Sequence, residues 1–83
     1  MSEVTYYGAD WCTDCRRSKA QLQGLGVAFE EKNVEQVAEF ATEAESISGR
    51  KNIPVIVFAD GEFLVEPSNP DLEAALAKRG LIG

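Results

Sequence analysis

The chain has 83 residues, enough for one domain with a single modest hydrophobic core. Hydrophobic residues make up 45% and charged residues 27%, which is typical of a folded globular protein and excludes an intrinsically disordered chain. A net charge of −6 weighs against nucleic-acid binding, because phosphate backbones require a basic surface. We therefore predict one folded domain over residues 1–83.

Nothing in the sequence resembles a membrane span or an export signal. No apolar run approaches the roughly 18–20 residues needed to cross a bilayer. Met1-Ser2-Glu3 lacks the basic start and apolar core of a signal peptide. We therefore predict no membrane association and a cytoplasmic location, where small thiols keep cysteines reduced.

The first half of the chain predicts a strand, a helix and a second strand. Val4–Tyr7 is rich in β-forming residues and stops at Gly8. Good helix formers occupy Ser18–Leu25, which predicts a helix directly after the two cysteines of the chain. Val27–Val34 opens with alternating apolar and polar residues and predicts the second strand.

A long amphipathic helix and a hairpin are predicted in the middle of the chain. Apolar residues recur at helical spacing through Glu35–Ser48, and Gly49 ends that helix. Val55–Ala59 is the most apolar run of the sequence and predicts a buried central strand. Asp60-Gly61 is a hairpin turn signal, which returns the chain as a fourth strand at Glu62–Val65.

A closing helix completes an α/β fold. Ser68 supplies a capping side chain ahead of Pro70, and the helix ends near Gly80. The resulting order is β-α-β-α-β-β-α with a four-stranded mixed sheet, whose first two strands are parallel because a helix connects them. Functional groups on such sheets lie beyond the C-terminal ends of the parallel strands, where Cys12 is expected.

Cys12 and Cys15 can act as metal ligands, as a structural bridge, as inert buried residues or as reactive thiols. A closed zinc site needs four ligands, and the chain has no histidine and no third cysteine. A disulfide across so short a loop stabilises little. Inert burial is possible but disfavoured, because polar residues such as Asp10, Asp14 and Arg16 surround the pair.

A reactive pair is supported by the helix that follows it. Free N–H groups and the helix dipole stabilise a thiolate at Cys12, and Arg16 adds positive charge one turn later. Cys15, one turn inside the helix, suits a resolving thiol that attacks the mixed disulfide formed at Cys12. Asp14 acts in the opposite direction, because a carboxylate destabilises a nearby thiolate. Cys-x-x-Cys beside a βαβ unit is typical of thioredoxin-like redox proteins.

Ile53-Pro54 supplies a second signal just before the most apolar strand. Proline is acceptable at the first residue of a central strand, and an ordinary trans bond there is the simple alternative. Its position relative to the cysteines favours a cis bond, which would present the backbone of Ile53 beside the thiols.

Together these segments resemble the glutaredoxin family over nearly the whole chain, and most of all the small actinobacterial glutaredoxins called mycoredoxins. The resemblance rests on Tyr7, the segment "WCTDC" at Trp11, "IPVIVFADG" at Ile53 and Glu66-Pro67-Ser68. It implies a thioredoxin fold, with Cys12 as nucleophile, Cys15 as resolving thiol and Pro54 in the cis form. It also implies that the Ile53 backbone pairs with the substrate.

Several positions differ from glutathione-binding glutaredoxins, which weighs against glutathione as the partner. Thr13-Asp14 stand in place of Pro-Tyr, Ala9 in place of lysine and Asn52 in place of threonine, while Leu64–Ser68 replaces a Gly-Gly-Asp clamp. A different polar rim for a thiol is expected from Arg50, Lys51, Ser68 and Asn69. The substrate-binding residues are thus expected to be Trp11, Ile53, Pro54, Ser68 and Asn69.

The sequence therefore predicts a thiol–disulfide oxidoreductase that reduces mixed disulfides or protein disulfides through Cys12 and Cys15. We expect no bound cofactor or metal, a monomer, and mycothiol or glutathione as co-substrate, with thioredoxin reductase as another possible electron donor. One alternative is an iron–sulfur carrier in which Cys12 of two subunits and two external thiols hold the cluster. Others are a ribonucleotide-reductase-coupled redoxin fed by thioredoxin reductase, and a redox-regulated binding module.

Overall fold

A computed structural model describes residues 3–82. In chain order its elements are β1 Val4–Gly8, α1 Thr13–Gly24, β2 Glu30–Asn33, α2 Ala38–Ser48, β3 Val55–Phe58, β4 Phe63–Val65 and α3 Asn69–Lys78. None of the helices within these residues has the length and apolar character that crossing a bilayer requires. The expected lack of an export signal at Met1 and Ser2 and the outer limits of the 1–83 domain lie outside the described residues and stay predictions.

The four strands form one sheet in the order β2-β1-β3-β4. β1 pairs with β2 in parallel and with β3 in antiparallel orientation, and β3 pairs with β4 in antiparallel orientation. The predicted α/β class, element order and mixed sheet are therefore confirmed. The apolar β1 and β3 occupy the two interior positions, whereas the polar β2 and the short β4 form the edges.

The two faces of the sheet pack against different helices. Side chains alternate along a strand, so neighbours on β1 point to opposite faces. On one face lies what we term the major core, made of Val4, Tyr6, Cys15, Leu22, Val27, Ile56, Phe58, Leu72 and Leu76. On the other lies the minor core, made of Tyr7, Ala44 and Val55. The helices α1 and α3 supply the major core, and α2 supplies the minor one.

The second strand is shorter than predicted, because Val27–Phe29 is not part of it. The amide of Val27 donates to the carbonyl oxygen of Leu22 at 3.0 Å, so this residue closes the end of α1 rather than pairing with β1. Its side chain is buried in the major core. The alternating pattern from Val27 therefore reflects the packing of a loop, and the prediction of a strand over Val27–Val34 was wrong at its start.

The amphipathic helix begins at Ala38, three residues later than predicted. The side-chain oxygen of Asn33 accepts the amide of Glu35 at 2.9 Å and that of Gln36 at 3.3 Å, which forms a turn. Val37 precedes the helix in an extended conformation and is 38% exposed, although the apolar stripe predicted its burial. Gly49 ends the helix as predicted, with a left-handed φ of 77°.

The hairpin and the last helix are held together at the end of the sheet far from the cysteines. The Arg79 guanidinium lies 3.9 Å from the centroid of the Phe58 ring. It also pairs with Asp60 at 3.0 Å and with Glu62. At the opposite end of α3, the Ser68 hydroxyl accepts the amide of Asp71 at 3.2 Å, which confirms the predicted cap.

Candidate active site

Cys12 lies immediately before α1, at the position where the helix begins. It has an extended backbone, and its Sγ accepts the amide of Cys15 at 3.2 Å. The first N–H groups of a helix have no partner within the helix, so this thiol occupies a place that favours negative charge. Cys12 is partly exposed and is therefore accessible to a substrate sulfur.

Cys15 lies one turn further along α1 and is 0% exposed. Burial raises the pKa of the Cys15 thiol to about 12, and the hydrogen bond and negative charge of Cys12 add to this effect. At neutral pH Cys15 is therefore a thiol that is shielded from solvent. The two sulfurs of the motif thus have different environments although only three residues separate them.

The Ile53-Pro54 peptide bond is cis, as the resemblance implied. The carbonyl oxygen of Ile53 lies 3.9 Å from the Sγ of Cys12. Pro54 itself is buried, and its carbonyl oxygen accepts the amide of Glu66 at 2.9 Å. This bond fixes the end of β4 next to the loop that faces Cys12.

An open cleft of about 450 Å³ surrounds Cys12. Its lining comprises Trp11, Cys12, Thr13, Asp14, Lys51, Asn52, Ile53 and Glu66. The structure thereby brings together Trp11, Ile53 and Lys51 from the predicted binding residues. Glu66 was not predicted as part of the site. It has a left-handed φ of 49°, and no sequence signal indicates this, because a residue before proline usually adopts an extended backbone.

Trp11 separates this cleft from a second groove. The indole is 67% exposed, and its Nε1 donates to the carboxylate of Glu35. The second groove has a volume of about 380 Å³ and is lined by Trp11, Val34, Ala41, Thr42, Ala44, Glu45, Arg50, Lys51 and Ile53. Arg50 therefore lines the second groove and not the cleft around Cys12, whereas Lys51 borders both.

Ser68 and Asn69 lie outside the lining of the cleft. The Ser68 hydroxyl caps α3, and the carbonyl oxygen of Asn69 accepts the side-chain amide of Gln21 at 2.7 Å. The Arg17 guanidinium donates to the carbonyl oxygen of Pro67 at 3.3 Å. These bonds attach the connection between β4 and α3 to α1, the helix that carries both cysteines.

The charges beside the cysteines are arranged differently from the expectation. Asp14 pairs with Arg17 at 3.2 Å, and both side chains are about half exposed. The pair compensates part of the repulsion that Asp14 exerts on a thiolate. The pairing of Asp14 with Arg17 was not predicted, although a spacing of three residues on a helix is a known signal for such pairs.

Residues 4–64 match the family described as Glutaredoxin. The chain belongs to the glutaredoxin family. It is 33% identical over 69 residues to Mycoredoxin 1 of Corynebacterium glutamicum, an alignment that covers 81% of this chain and 84% of that protein. Glutaredoxin 3 of Escherichia coli is 35% identical over 81 residues, which covers 98% of this chain and 94% of that protein.

The fold comparison agrees with this assignment. A crystal structure of a glutaredoxin from Archaeoglobus fulgidus has a TM-score of 0.81 and 28% identity, and the match covers 89% of this chain and 85% of that one. The thioredoxin-like fold is thereby confirmed. Glutaredoxins are thiol–disulfide oxidoreductases that act on disulfides together with low-molecular-weight thiols. This glutaredoxin carries two cysteines three positions apart, Cys12 and Cys15, and is a dithiol oxidoreductase of the family.

Proposed function

We propose that Cys12 is the nucleophile and Cys15 the resolving thiol in the reduction of mixed disulfides. The observation that carries this assignment is the contrast between the two sulfurs. Cys12 is accessible and its Sγ accepts a helix N–H group, while Cys15 is buried and holds its proton. The Cys12 thiolate attacks the substrate sulfur and forms a mixed disulfide, and Cys15 or an external thiol then attacks Cys12 to release the bound group.

The substrate is proposed to lie between Trp11 and Ile53. The Ile53 carbonyl oxygen, 3.9 Å from Cys12 Sγ, offers a hydrogen-bond acceptor to a peptide-like group beside the disulfide. The exposed indole of Trp11 offers apolar surface on the other side of Cys12. Ser68 and Asn69, expected as direct ligands, are proposed to act at a distance, because their segment holds the backbone beside Glu66.

The low-molecular-weight thiol is proposed to be mycothiol rather than glutathione. The lining contains the carboxylates of Asp14 and Glu66 against the single ammonium of Lys51. Glutathione carries two carboxylates and one ammonium, whereas mycothiol is a sugar-linked thiol without ionised groups. Since an exposed charge pair contributes at most about 1 kcal/mol, we expect roughly a fivefold preference at low salt. Similarity to Mycoredoxin 1 supports the same choice.

A cytoplasmic, monomeric protein is proposed for the same chemistry. Both thiols must return to the reduced form after each cycle, which a reducing compartment favours. One chain supplies both sulfurs and the whole lining of the cleft, so the proposed reaction needs no second subunit.

The roles of the two cysteines are tested by separating capture from resolution. In a Cys15→Ala protein we expect Cys12 to form a stable adduct with a disulfide substrate. In a Cys12→Ser protein we expect no adduct and no turnover, because the accessible sulfur is gone. Mass spectrometry of the adducts and a turnover assay give both readouts. Turnover by the Cys12→Ser protein would contradict the assignment.

The thiol is tested with adducts of Cys15→Ala that carry mycothiol or glutathione at Cys12. We expect free mycothiol to release its adduct about fivefold faster than glutathione releases its own. A Glu66→Gln change should narrow that difference, and added salt should do the same. Equal rates at low salt would contradict the choice of mycothiol.

Rapid reduction of the wild-type disulfide by thioredoxin reductase alone would instead favour the ribonucleotide-reductase-coupled redoxin. A brown, dimeric protein after anaerobic purification would favour the iron–sulfur carrier.

A further inference from the structure

In the proposed cycle the Cys15 sulfur must become a thiolate, although its buried position opposes this. Only a thiolate attacks a disulfide efficiently, yet Cys15 is 0% exposed and burial raises its pKa. Water cannot stabilise the charge, because Cys15 packs among apolar residues of the major core such as Leu22 and Ile56. A hydrogen-bond donor inside the protein is therefore needed.

The hydroxyl of Tyr6 reaches Cys15 from β1, on the core side of α1. It donates to the carbonyl oxygen of Cys15 at 3.1 Å, and the tyrosine is only 2% exposed. Burial and the hydrogen bond with Cys12 raise the pKa of Cys15, whereas hydrogen bonding from the Ala9 backbone and, to a smaller extent, from the Tyr6 hydroxyl lowers it. The hydroxyl can thus serve either the carbonyl oxygen or the sulfur of one residue.

Gly8 provides the space in which the Tyr6 hydroxyl lies. A Cβ at position 8 would come within 2.3 Å of the hydroxyl oxygen and within 2.5 Å of the ring carbon that bears it. Contacts this short do not occur in real structures, so only glycine at this position leaves the hydroxyl where it is. The lack of a side chain at Gly8 therefore leaves room for the Tyr6 hydroxyl directly beneath the cysteine motif.

Tyr6 is suited to donate a proton in a hydrogen bond rather than to lose it. Burial raises the pKa of Tyr6, and negative charge on Cys15 raises it further. The other titratable groups that act on this pair are Cys12 at the start of α1 and Glu31 on β2, both of which raise the pKa of Tyr6. The phenol consequently stays protonated while Cys15 reacts.

We propose that Tyr6 is the positioning residue of the resolving step, whose hydroxyl turns from the Cys15 carbonyl to the Cys15 sulfur and stabilises its thiolate. This inference rests on the role proposed above for Cys15. In the step, Cys15 attacks Cys12, the Cys12–Cys15 bond forms, and the bond between Cys12 and the substrate sulfur breaks. The substrate thiolate leaves with the bonding electrons and gains the proton that Cys15 lost. Tyr6 keeps its own proton throughout.

The main test is a Tyr6→Phe protein, which keeps the ring and removes only the hydroxyl. The resolving rate is followed from a mixed disulfide formed at Cys12, by release of the bound thiol. We expect that rate to fall about 3- to 10-fold near neutral pH. The loss of a hydrogen bond to a charged sulfur would by itself lower the resolving rate by more than this. A thiolate of higher pKa is also more nucleophilic, however, which offsets part of the loss. Capture of substrate by Cys12, measured in the Cys15→Ala background, should not change.

A direct titration separates stabilisation of the thiolate from a mere loosening of α1. In a Cys12→Ser background, the Cβ chemical shift of a labelled Cys15 reports its pKa. Tyr6→Phe should raise that pKa, whereas a purely structural role for the hydroxyl would leave it unchanged. Tyr7→Phe is the matched control, because it removes the neighbouring phenol hydroxyl, which donates to Glu43 on the other face of the sheet.

Ser18 carries the competing side-chain hydroxyl and provides the second control. Its hydroxyl is buried one turn beyond Cys15, and it has no hydrogen-bond partner among residues 3–82. Ser18→Ala should leave both the pKa of Cys15 and the resolving rate unchanged. If Ser18→Ala reproduced the expected effect and Tyr6→Phe did not, the inference would be overturned in favour of Ser18.

A fluorinated tyrosine at position 6 tests the inference without deleting any contact. A more acidic phenol is a stronger donor, so the pKa of Cys15 should fall and resolution should quicken. An unchanged pKa of Cys15 in this protein and in Tyr6→Phe would overturn the inference. If wild-type Cys12 captured substrate but Cys15 never resolved it, the proposed role of Cys15 would fail instead, and the two failures are thus distinguishable.

Discussion

The two faces of the sheet place their polar groups in different surroundings. In the major core, Leu22, Ile56, Leu72 and Leu76 are 0% exposed, and the only phenol there donates to a backbone oxygen. In the minor core, the phenol of Tyr7 donates to a carboxylate, Glu43, which also pairs with Lys32 at 3.0 Å. Two helices cover the first face and one covers the second, so solvent reaches the charges of the second face.

This difference shows how the fold supports redox chemistry. In the proposed cycle, a dry environment keeps Cys15 protonated and shields it from oxidants until Cys12 has reacted. The same environment would be too costly for charged groups such as Lys32 and Glu43, which lie on the wetter face. We expect the two faces to respond differently to substitution, and three predictions examine this difference.

The largest difference is expected from truncation of a leucine in the major core. Leu72→Ala should lower the free energy of unfolding by about 2–5 kcal/mol, because it leaves a cavity among fully buried side chains. Ile47→Ala in α2 should cost only about 1 kcal/mol, because a partly exposed side chain loses less burial. Urea denaturation of the reduced proteins measures both values. Equal losses would show that the faces do not differ in stability.

A smaller effect is expected from a methyl group added beneath the cysteine motif. Gly8→Ala should destabilise the protein by about 1–3 kcal/mol, because its Cβ overlaps the Tyr6 hydroxyl. Gly24→Ala is the control, since a Cβ there meets nothing within 4 Å and the residue is helical. That change should stabilise the protein by about 0.5–1 kcal/mol. Similar melting temperatures for the two variants would contradict the close approach of Tyr6 to Gly8.

The smallest effect concerns the acid side of the stability profile. Hydrogen bonds from Lys32 and Tyr7 hold the pKa of Glu43 below its usual value of 4.5, so the native state binds this proton less tightly than the unfolded state. The stabilisation is therefore present above that value and is lost as the pH falls through the native pKa. Glu43→Gln should make the stability less dependent on pH in this range. Urea midpoints measured at several acidic pH values test this.

A matched charge change controls the acid prediction. Glu73 lies on the exposed side of α3, and Glu73→Gln removes one carboxylate without touching the group around Lys32. Its profile should keep the slope of the wild-type protein. A slope that changed equally in both variants would point to net charge rather than to the contacts of Glu43.

The sequence predicted the elements whose signals are local. The β-forming run at Val4, the turn at Asp60-Gly61 and the cap at Ser68 each depend on neighbouring residues, and all three are present. Cys12 and Cys15 could be assigned for the same reason, since their spacing and the following helix define their surroundings. The identity of the reactive pair therefore needed no knowledge of distant contacts.

The errors occur where contacts that the hydrophobic pattern does not reveal override that pattern. Val27 looks like a strand residue but closes α1, because the major core takes up its side chain. The helix over Glu35–Ser48 starts late, because Asn33 captures the amides that would have begun it. Glu66 enters the cleft only through a left-handed backbone conformation next to Pro54, and the contact of Tyr6 with Cys15 depends on the packing of β1 against α1.

The order of the strands has a further consequence for behaviour at high concentration. The outer strand β2 has the sequence Glu-Glu-Lys-Asn, and charged residues on an open strand oppose the addition of a strand from another molecule. On the other side, β4 is only three residues long, and the left-handed Glu66 turns the chain away immediately after it. Both open borders of the sheet are thus poor templates for aggregation. Copies of this protein can therefore be crowded together without their sheets joining edge to edge.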